Sequence, residues 1–322
     1  MKLSVKHIPL LATTAVCIAL YAIGAVKFDG FATSQTLLNF FVDNSFLGIV
    51  GGGMTLVIIS GGIDLSVGAV LALCSIFLAV LMQQYGVHPA AAIPLVLGLG
   101  SIFGLLMGAV IHYFKLEPFI VTLAGMFLAR GLAAIISLES ISIRNGFYDW
   151  VMEFYVPLGP VGVPLTAIIF IGIVLFGIYL STFTRFGRNL YAIGGNEPAA
   201  MLMGLPIGKT KLMVYAFSGF CSALAAVVYT FYGSSGDPSI GVGMELDAIA
   251  IAVIGGTLLQ GGSGFVFGTL IGTMIFGIIN TGIAFQGTLS SWWTKVAVGV
   301  LLLAFVALQK LLSGSFQGRK SG

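Results

Sequence analysis

The sequence predicts an all-α polytopic membrane protein of about ten transmembrane helices, with both termini cytoplasmic and broken helices near 60–66 and 255–264. Three observations carry this prediction. First, 58% of the 322 residues are hydrophobic, only 8% are charged, and the mean hydropathy is +1.09. A soluble domain needs about 25% charged residues to cover its core, so lipid must be the solvent. Second, apolar residues fall into runs near the roughly 20 residues that a spanning helix needs. Third, positive charge collects on one side when those runs are made to alternate.

The runs are 8–26, 44–60, 66–84, 91–113, 118–137, 163–183, 211–231, 245–259, 265–284 and 293–311. The first is longer than the apolar stretch of a cleaved signal, roughly 7–15 residues, and reads as an uncleaved span. With the N-terminus inside, the cytoplasmic segments hold Lys2, Lys6, Lys115, Arg185, Arg188, Lys209, Lys211, Lys310, Arg319 and Lys320. The outer loops hold only Lys27 and Arg144. The opposite orientation would invert the positive-inside rule. The chain reads as one transmembrane domain over 1–322, with a long inner loop at 184–210 and a flexible basic tail at 313–322.

Glycine has two uses. Gly100, Gly104 and Gly108 share one helix face, as do Gly268 and Gly272, a spacing that lets helices approach closely in lipid. Elsewhere glycine interrupts apolar runs, at Ser60-Gly61-Gly62-Ile63-Asp64-Leu65-Ser66 and at Gly255–Gly264. A broken helix frees backbone groups that only protein or water can satisfy, and such breaks often line a transport path.

Several polar residues stand out in this apolar background. Asp64 opens a helix, where it can serve as a cap, as a pore-side polar group with Ser66, or as both. Arg130 lies near mid-membrane and needs a partner, either Asp64 or a carbonyl freed at a break. Glu245 and Asp247 sit at a helix N-terminus, favourable for carboxylates. Asn44 and Asn280 are further candidates for the substrate pathway. In the inner loop, Asn196 suits an N-cap, Glu197 and Pro198 a first turn, and Gly204 a stop. The short helix between them needs a partner to pack against.

Other chemistries find no support. Cys17, Cys74 and Cys221 are isolated, and His7, His88 and His112 lack metal-ligand spacing, so no metal or bound cofactor is expected. Gly204–Thr210 is one residue short of a phosphate loop, because the first glycine would have to stand where Met203 is. No nucleophile–base constellation or carboxylate pair suggests an enzyme.

The stretches Gly61–Gly68, Tyr191–Glu197, Glu245–Ala250, Gly255–Leu258 and Gly261–Gly264 occur in order and resemble the permeases of ribose-type ABC sugar importers. Phe285–Lys295 looks most like the galactofuranose-importing branch of that family. The resemblance implies a bacterial inner-membrane permease that moves a monosaccharide, galactofuranose or a ribose- or galactose-like sugar, into the cytoplasm by alternating access. It implies three partners: a second, different permease chain, a periplasmic sugar-binding protein and a cytoplasmic ATPase that holds ATP and Mg. It places ATPase coupling on Gly195, Asn196, Glu197, Ala199, Ala200 and Gly204. Pro198 departs from the helix formers common there but still fits a first turn. The rival reading is a secondary transporter driven by an ion gradient, for which only Asp64 offers an intramembrane carboxylate.

Overall fold

The computed structural model describes residues 8–159, 161–290 and 292–317. Fourteen helices appear among them. The first half of the chain holds α1 (Ile8–Lys27), α2 (Ser34–Asp43), α3 (Ser45–Ile59), α4 (Val67–Gln83), α5 (Pro89–Tyr113), α6 (Pro118–Ile136) and the short α7 (Gly146–Glu153). The second half holds α8 (Leu165–Phe183), α9 (Arg185–Gly195), α10 (Glu197–Leu202), α11 (Ile207–Gly233), α12 (Met244–Ile254), α13 (Val266–Gln286) and α14 (Trp292–Gln317). Lys2, Lys6, His7, Arg319 and Lys320, and with them much of the expected basic tail, lie outside the described residues.

The expected count of about ten spans is corrected. Among the described residues, six helices are long and apolar enough to cross a membrane: α1 from Pro9, α5, α6, α8, α11 and α13. A seventh is counted if α2 and α3, which meet at 56°, form one bent span. Hydropathy measures how long an apolar run is but not where its backbone stops being helical. The run 66–84 yields a helix of 17 residues and the run 245–259 one of 11. The apolar part of α14 is Trp292–Ala307. At 1.5 Å rise per residue, 11 residues reach roughly 16 Å, half of a hydrocarbon core of about 30 Å.

The core is built around α11, which packs on α3, α4 and α5. Nearly all of α3 and α4 is buried. The seam between α5 and α11 is set by glycine. A Cβ on Gly100 or Gly104 would run into the backbone of Gly219 or Tyr215, and one on Gly219 into Gly100. The second glycine pair works alike: Gly268 faces the Gly255 carbonyl and Gly272 the Ile251 carbonyl, drawing α13 onto α12. With no hydrophobic drive between helices in lipid, such close approach is what holds them together.

Two small antiparallel pairings decorate the end opposite α9 and α10. β1 (Ile141–Ser142) pairs with β4 (Ser235–Gly236), and β2 (Tyr155–Leu158) with β3 (Val161–Pro164). There α7 is anchored by Tyr148, buried against Phe231 and hydrogen-bonded to Thr230 at 2.9 Å.

Candidate functional site: two helix breaks and the segment that joins them

The α3–α4 break is organised by a buried carboxylate. Asp64 Oδ1 accepts from the Ser66 amide at 3.0 Å and the Ser66 hydroxyl at 2.6 Å. Asp64 Oδ2 accepts from the Ser218 hydroxyl of α11 at 2.7 Å. One turn below Ser218, the Tyr215 hydroxyl donates to the Ile63 carbonyl at 3.3 Å. The residue preceding α4 is Ser66, and Asp64 holds it from two residues back. The carboxylate thus closes a tight turn on Ser66, the N-cap of α4, instead of capping the first-turn amides as expected, and ties that turn to α11.

The α12–α13 break is organised by bare backbone. Gly256, Gly261 and Gly262 all have positive φ. Only residues without a Cβ take up such turns at little cost. The Leu258 amide donates to the Ser263 carbonyl at 3.0 Å, closing the loop on itself. The two breaks touch: the Gly262 amide donates to the Ile59 carbonyl at 2.9 Å, and a Cβ on Gly261 would lie 2.8 Å from the Gly61 Cα.

Between them lies α9. A Cβ on Gly194 would collide with the Ile59 carbonyl on one side and the Gly262 amide on the other. The Tyr191 hydroxyl donates to the Gly264 carbonyl at 2.8 Å. Burial holds this phenol above its usual range, a hydrogen bond with Ser181 acting the other way.

Next along the chain, α10 is capped by Asn196, whose side-chain oxygen accepts from the Ala199 amide at 2.9 Å. Ala200 is fully buried with Ile193 and Ile207. Glu197 pairs with Lys211 of α11 at 2.8 Å. Gly204 ends the motif at φ +74°. The outer side of the motif is apolar: Met201, Leu202 and Met203 are exposed, Leu202 at 90%. Gly195, Asn196 and Glu197 are exposed beside them. A cavity of about 590 Å³ separates α10 from the first break, walled by Ser60, Gly62, His112, Lys115, Glu197 and Tyr215.

The other polar candidates form a second group. Arg130 does not reach Asp64; it donates to the Pro238 and Ile240 carbonyls at 3.1 and 2.7 Å. These belong to a strap, residues 234–243, that enters the bundle along α4. Gly236 lies against Ser75, and Gly241 against Gly68. The carboxylates of Glu245 and Asp237 also lie within electrostatic reach of Arg130. Asp247 pairs with Lys295 at 2.5 Å, and Asn280 accepts from Thr294 at 3.3 Å. Asn44 stands apart from both groups, buried at the α2–α3 bend, where it donates to the Phe40 carbonyl at 3.0 Å.

Sequence reasoning missed Ser218, Tyr215 and Tyr191, whose partners lie 154, 152 and 73 positions away. It also passed over Met201, Leu202 and Met203. Three apolar residues following a capped turn outside the apolar runs were the available signal.

The branched-chain amino acid transport system permease component family matches residues 36–306. The chain is 46% identical to the inner membrane ABC transporter permease protein YjfF of Escherichia coli, with 98% of this chain and 96% of that protein covered. It is 36% identical to the fructose import permease protein FruG of Bifidobacterium longum, covering 96% and 92%. It is 38% identical to the ribose import permease protein RbsC of Escherichia coli, covering 91% of each. No solved structure matches the chain. On the strength of the matched residues and these identities, the chain belongs to that permease family: it is a multi-pass inner-membrane permease subunit of an ABC importer.

Proposed function

We propose that this permease carries a monosaccharide from periplasm to cytoplasm by alternating access, powered by ATP on a separate ATPase. The relatives named for fructose and ribose support a sugar cargo, and the likeness to YjfF together with the Phe285–Lys295 stretch favours galactofuranose over ribose or galactose. A second, related permease, a periplasmic binding protein and the ATPase complete the assembly. The pathway residues are Asn44, Asp64, Ser66, Arg130, Glu245, Asp247 and Asn280. The coupling residues run from Gly195 to Gly204 within the loop 184–210.

One observation carries this reading: the α9–α10 segment rests on both helix breaks at once while its far side is an exposed apolar knob. A knob of Met201, Leu202 and Met203 suits a groove on a moving ATPase. Any displacement of α10 passes through Gly194 and Tyr191 to the backbones of both breaks. ATP supplies the differential affinity for two states that such a cycle requires. An ion-gradient mechanism is less well supported, because Asp64 is buried and its oxygens are engaged by Ser66 and Ser218.

The test is Leu202→Asp in the reconstituted complex. Leu202 supports nothing inside the subunit, whereas Ala200→Asp would unseat α10 from its own core. The expected result is a folded permease whose ATP-driven uptake is lost. Normal uptake in vesicles would refute the coupling assignment. Competition of labelled galactofuranose uptake by ribose and galactose decides the cargo.

A further inference from the structure

The length of α8 matches the bilayer. Its 19 residues rise roughly 28 Å at 1.5 Å per residue, close to a hydrocarbon core of about 30 Å. Phe183, its last residue, therefore stands at one edge of that core. Tyr179 and Phe183 stack there with ring centroids 6.1 Å apart. Both are exposed, one turn beyond the exposed Leu175. A tyrosine at that level suits a membrane interface, its ring in the apolar layer and its hydroxyl in the polar one.

Immediately beyond, the chain turns a fixed corner. The Thr184 hydroxyl accepts from the Gly187 amide at 3.1 Å and donates back to the Leu180 carbonyl. A Cβ on Gly187 would run into the Leu180 and Ser181 carbonyls, so α9 lies directly against the end of α8. Gly187, Leu190 and Ile193 form the buried side of α9. Arg185 and Arg188, three residues apart on another side, are both exposed. Neither has an ion-pair partner among the described residues. Nor is one at hand. α9 packs on α3, α8, α10 and α11. These five helices carry one carboxylate, Glu197, which Lys211 already holds at 2.8 Å.

Two guanidinium groups just outside the hydrocarbon edge, with no acid of their own, call for an anion at that level. Guanidinium binds phosphate through parallel hydrogen bonds. The aromatic pair beneath offers an apolar wall to whatever carries that phosphate. An anionic lipid of the inner leaflet presents both parts in one molecule. We propose that the α8–α9 corner is a headgroup site for an anionic phospholipid of the cytoplasmic leaflet, with Arg185 and Arg188 on its phosphate and Tyr179 and Phe183 against its chains. Its placement in that leaflet and its consequence for transport rest on the importer reading above. At the far end of α9, Gly194 and Tyr191 touch both helix breaks. Lipid holding the first turn of α9 keeps that end fixed, so a push on α10 is delivered to the breaks and does not swing α9 free. Uptake then depends on anionic lipid.

The test uses the full complex carrying Arg185→Gln, Arg188→Gln or both, in phosphatidylcholine vesicles with and without phosphatidylglycerol. The parent complex should retain phosphatidylglycerol through detergent purification. Each single substitution should weaken that retention about fivefold, and the double substitution should abolish it. ATP-driven uptake by the parent should be faster with phosphatidylglycerol present, and equally slow in both vesicles for the double variant. The single variants keep the test decisive if the double one fails to assemble. Retention equal to the parent's overturns the site, and if those variants also shed the ATPase, the arginines serve that partner instead. Retention that falls while the parent's uptake ignores phosphatidylglycerol overturns the hold on α9. If retention falls and the parent shows no ATP-driven uptake in any vesicle, the importer reading fails and the lipid site stands.

Discussion

The two helix breaks sit side by side yet are built on opposite principles. Residues 60–66 are locked by side chains: a buried Asp64, two serines and Tyr215 satisfy what the break exposes. Residues 255–264 are held mainly by backbone, through glycines at positive φ that press on Gly61, Gly194 and Gly195, with Tyr191 on the Gly264 carbonyl and Gln309 on the Thr257 carbonyl as side-chain ties. A side-chain lock resists motion until its hydrogen bonds are replaced. A glycine turn changes shape at little cost. In the proposed alternating-access cycle the first break would then be the fixed anchor, and the second the part that yields. The α9–α10 segment touches both.

The comparison can be broken most directly where the two breaks meet. Gly194→Val puts a branched side chain between the Ile59 carbonyl and the Gly262 amide. Overpacking on that scale costs about 3 kcal/mol or more, and uptake should vanish. Normal uptake would show that the breaks do not depend on this contact. Next in size is Asp64→Leu, which leaves the Ser66 amide and hydroxyl and the Ser218 hydroxyl without their acceptor. Each stranded buried donor costs about 1–3 kcal/mol, so the melting temperature in detergent should fall clearly. Asp64→Asn keeps one acceptor oxygen and should fall less. Gly256→Ala forces a Cβ onto φ +94°, at about 1–2 kcal/mol, with only Pro9 and Leu10 nearby at 3.2 Å or more. It should slow uptake more than it lowers melting temperature, because the yielding break is stiffened. If it destabilises more than Asp64→Leu, the assignment of anchor and hinge is reversed. Smallest is Gln260→Ala at the exposed tip of the second break, expected within about 0.5 kcal/mol of the parent and with unchanged uptake.

Much of this was legible in the sequence, for local reasons. Asn196, Glu197, Pro198 and Gly204 punctuate a helix through neighbours only a few positions away, so the boundaries of α10 can be read directly. The glycines of α5 announce a close helix contact by their spacing, though not that the partner is α11. The span count was not legible. The runs containing α4 and α12 are apolar enough for a membrane, but their helices stop at turns that hydropathy does not register. Arg130 was recognisable as needing a partner, yet its acceptors are backbone carbonyls, 108 and 110 positions away, on a strap that carries no helical signal. Asp64 shows the same limit: its local bond to Ser66 follows from two-residue spacing, while its bond to Ser218 is a product of tertiary packing.

The knob formed by Met201, Leu202 and Met203 has a consequence for making this protein apart from its complex. Exposed contiguous apolar side chains are either an interaction surface or an aggregation liability. On the proposed coupling, a copy without its ATPase keeps that surface bare, so the subunit made alone should be harder to keep soluble in detergent than the assembled complex, through a six-residue helix and the residue after it.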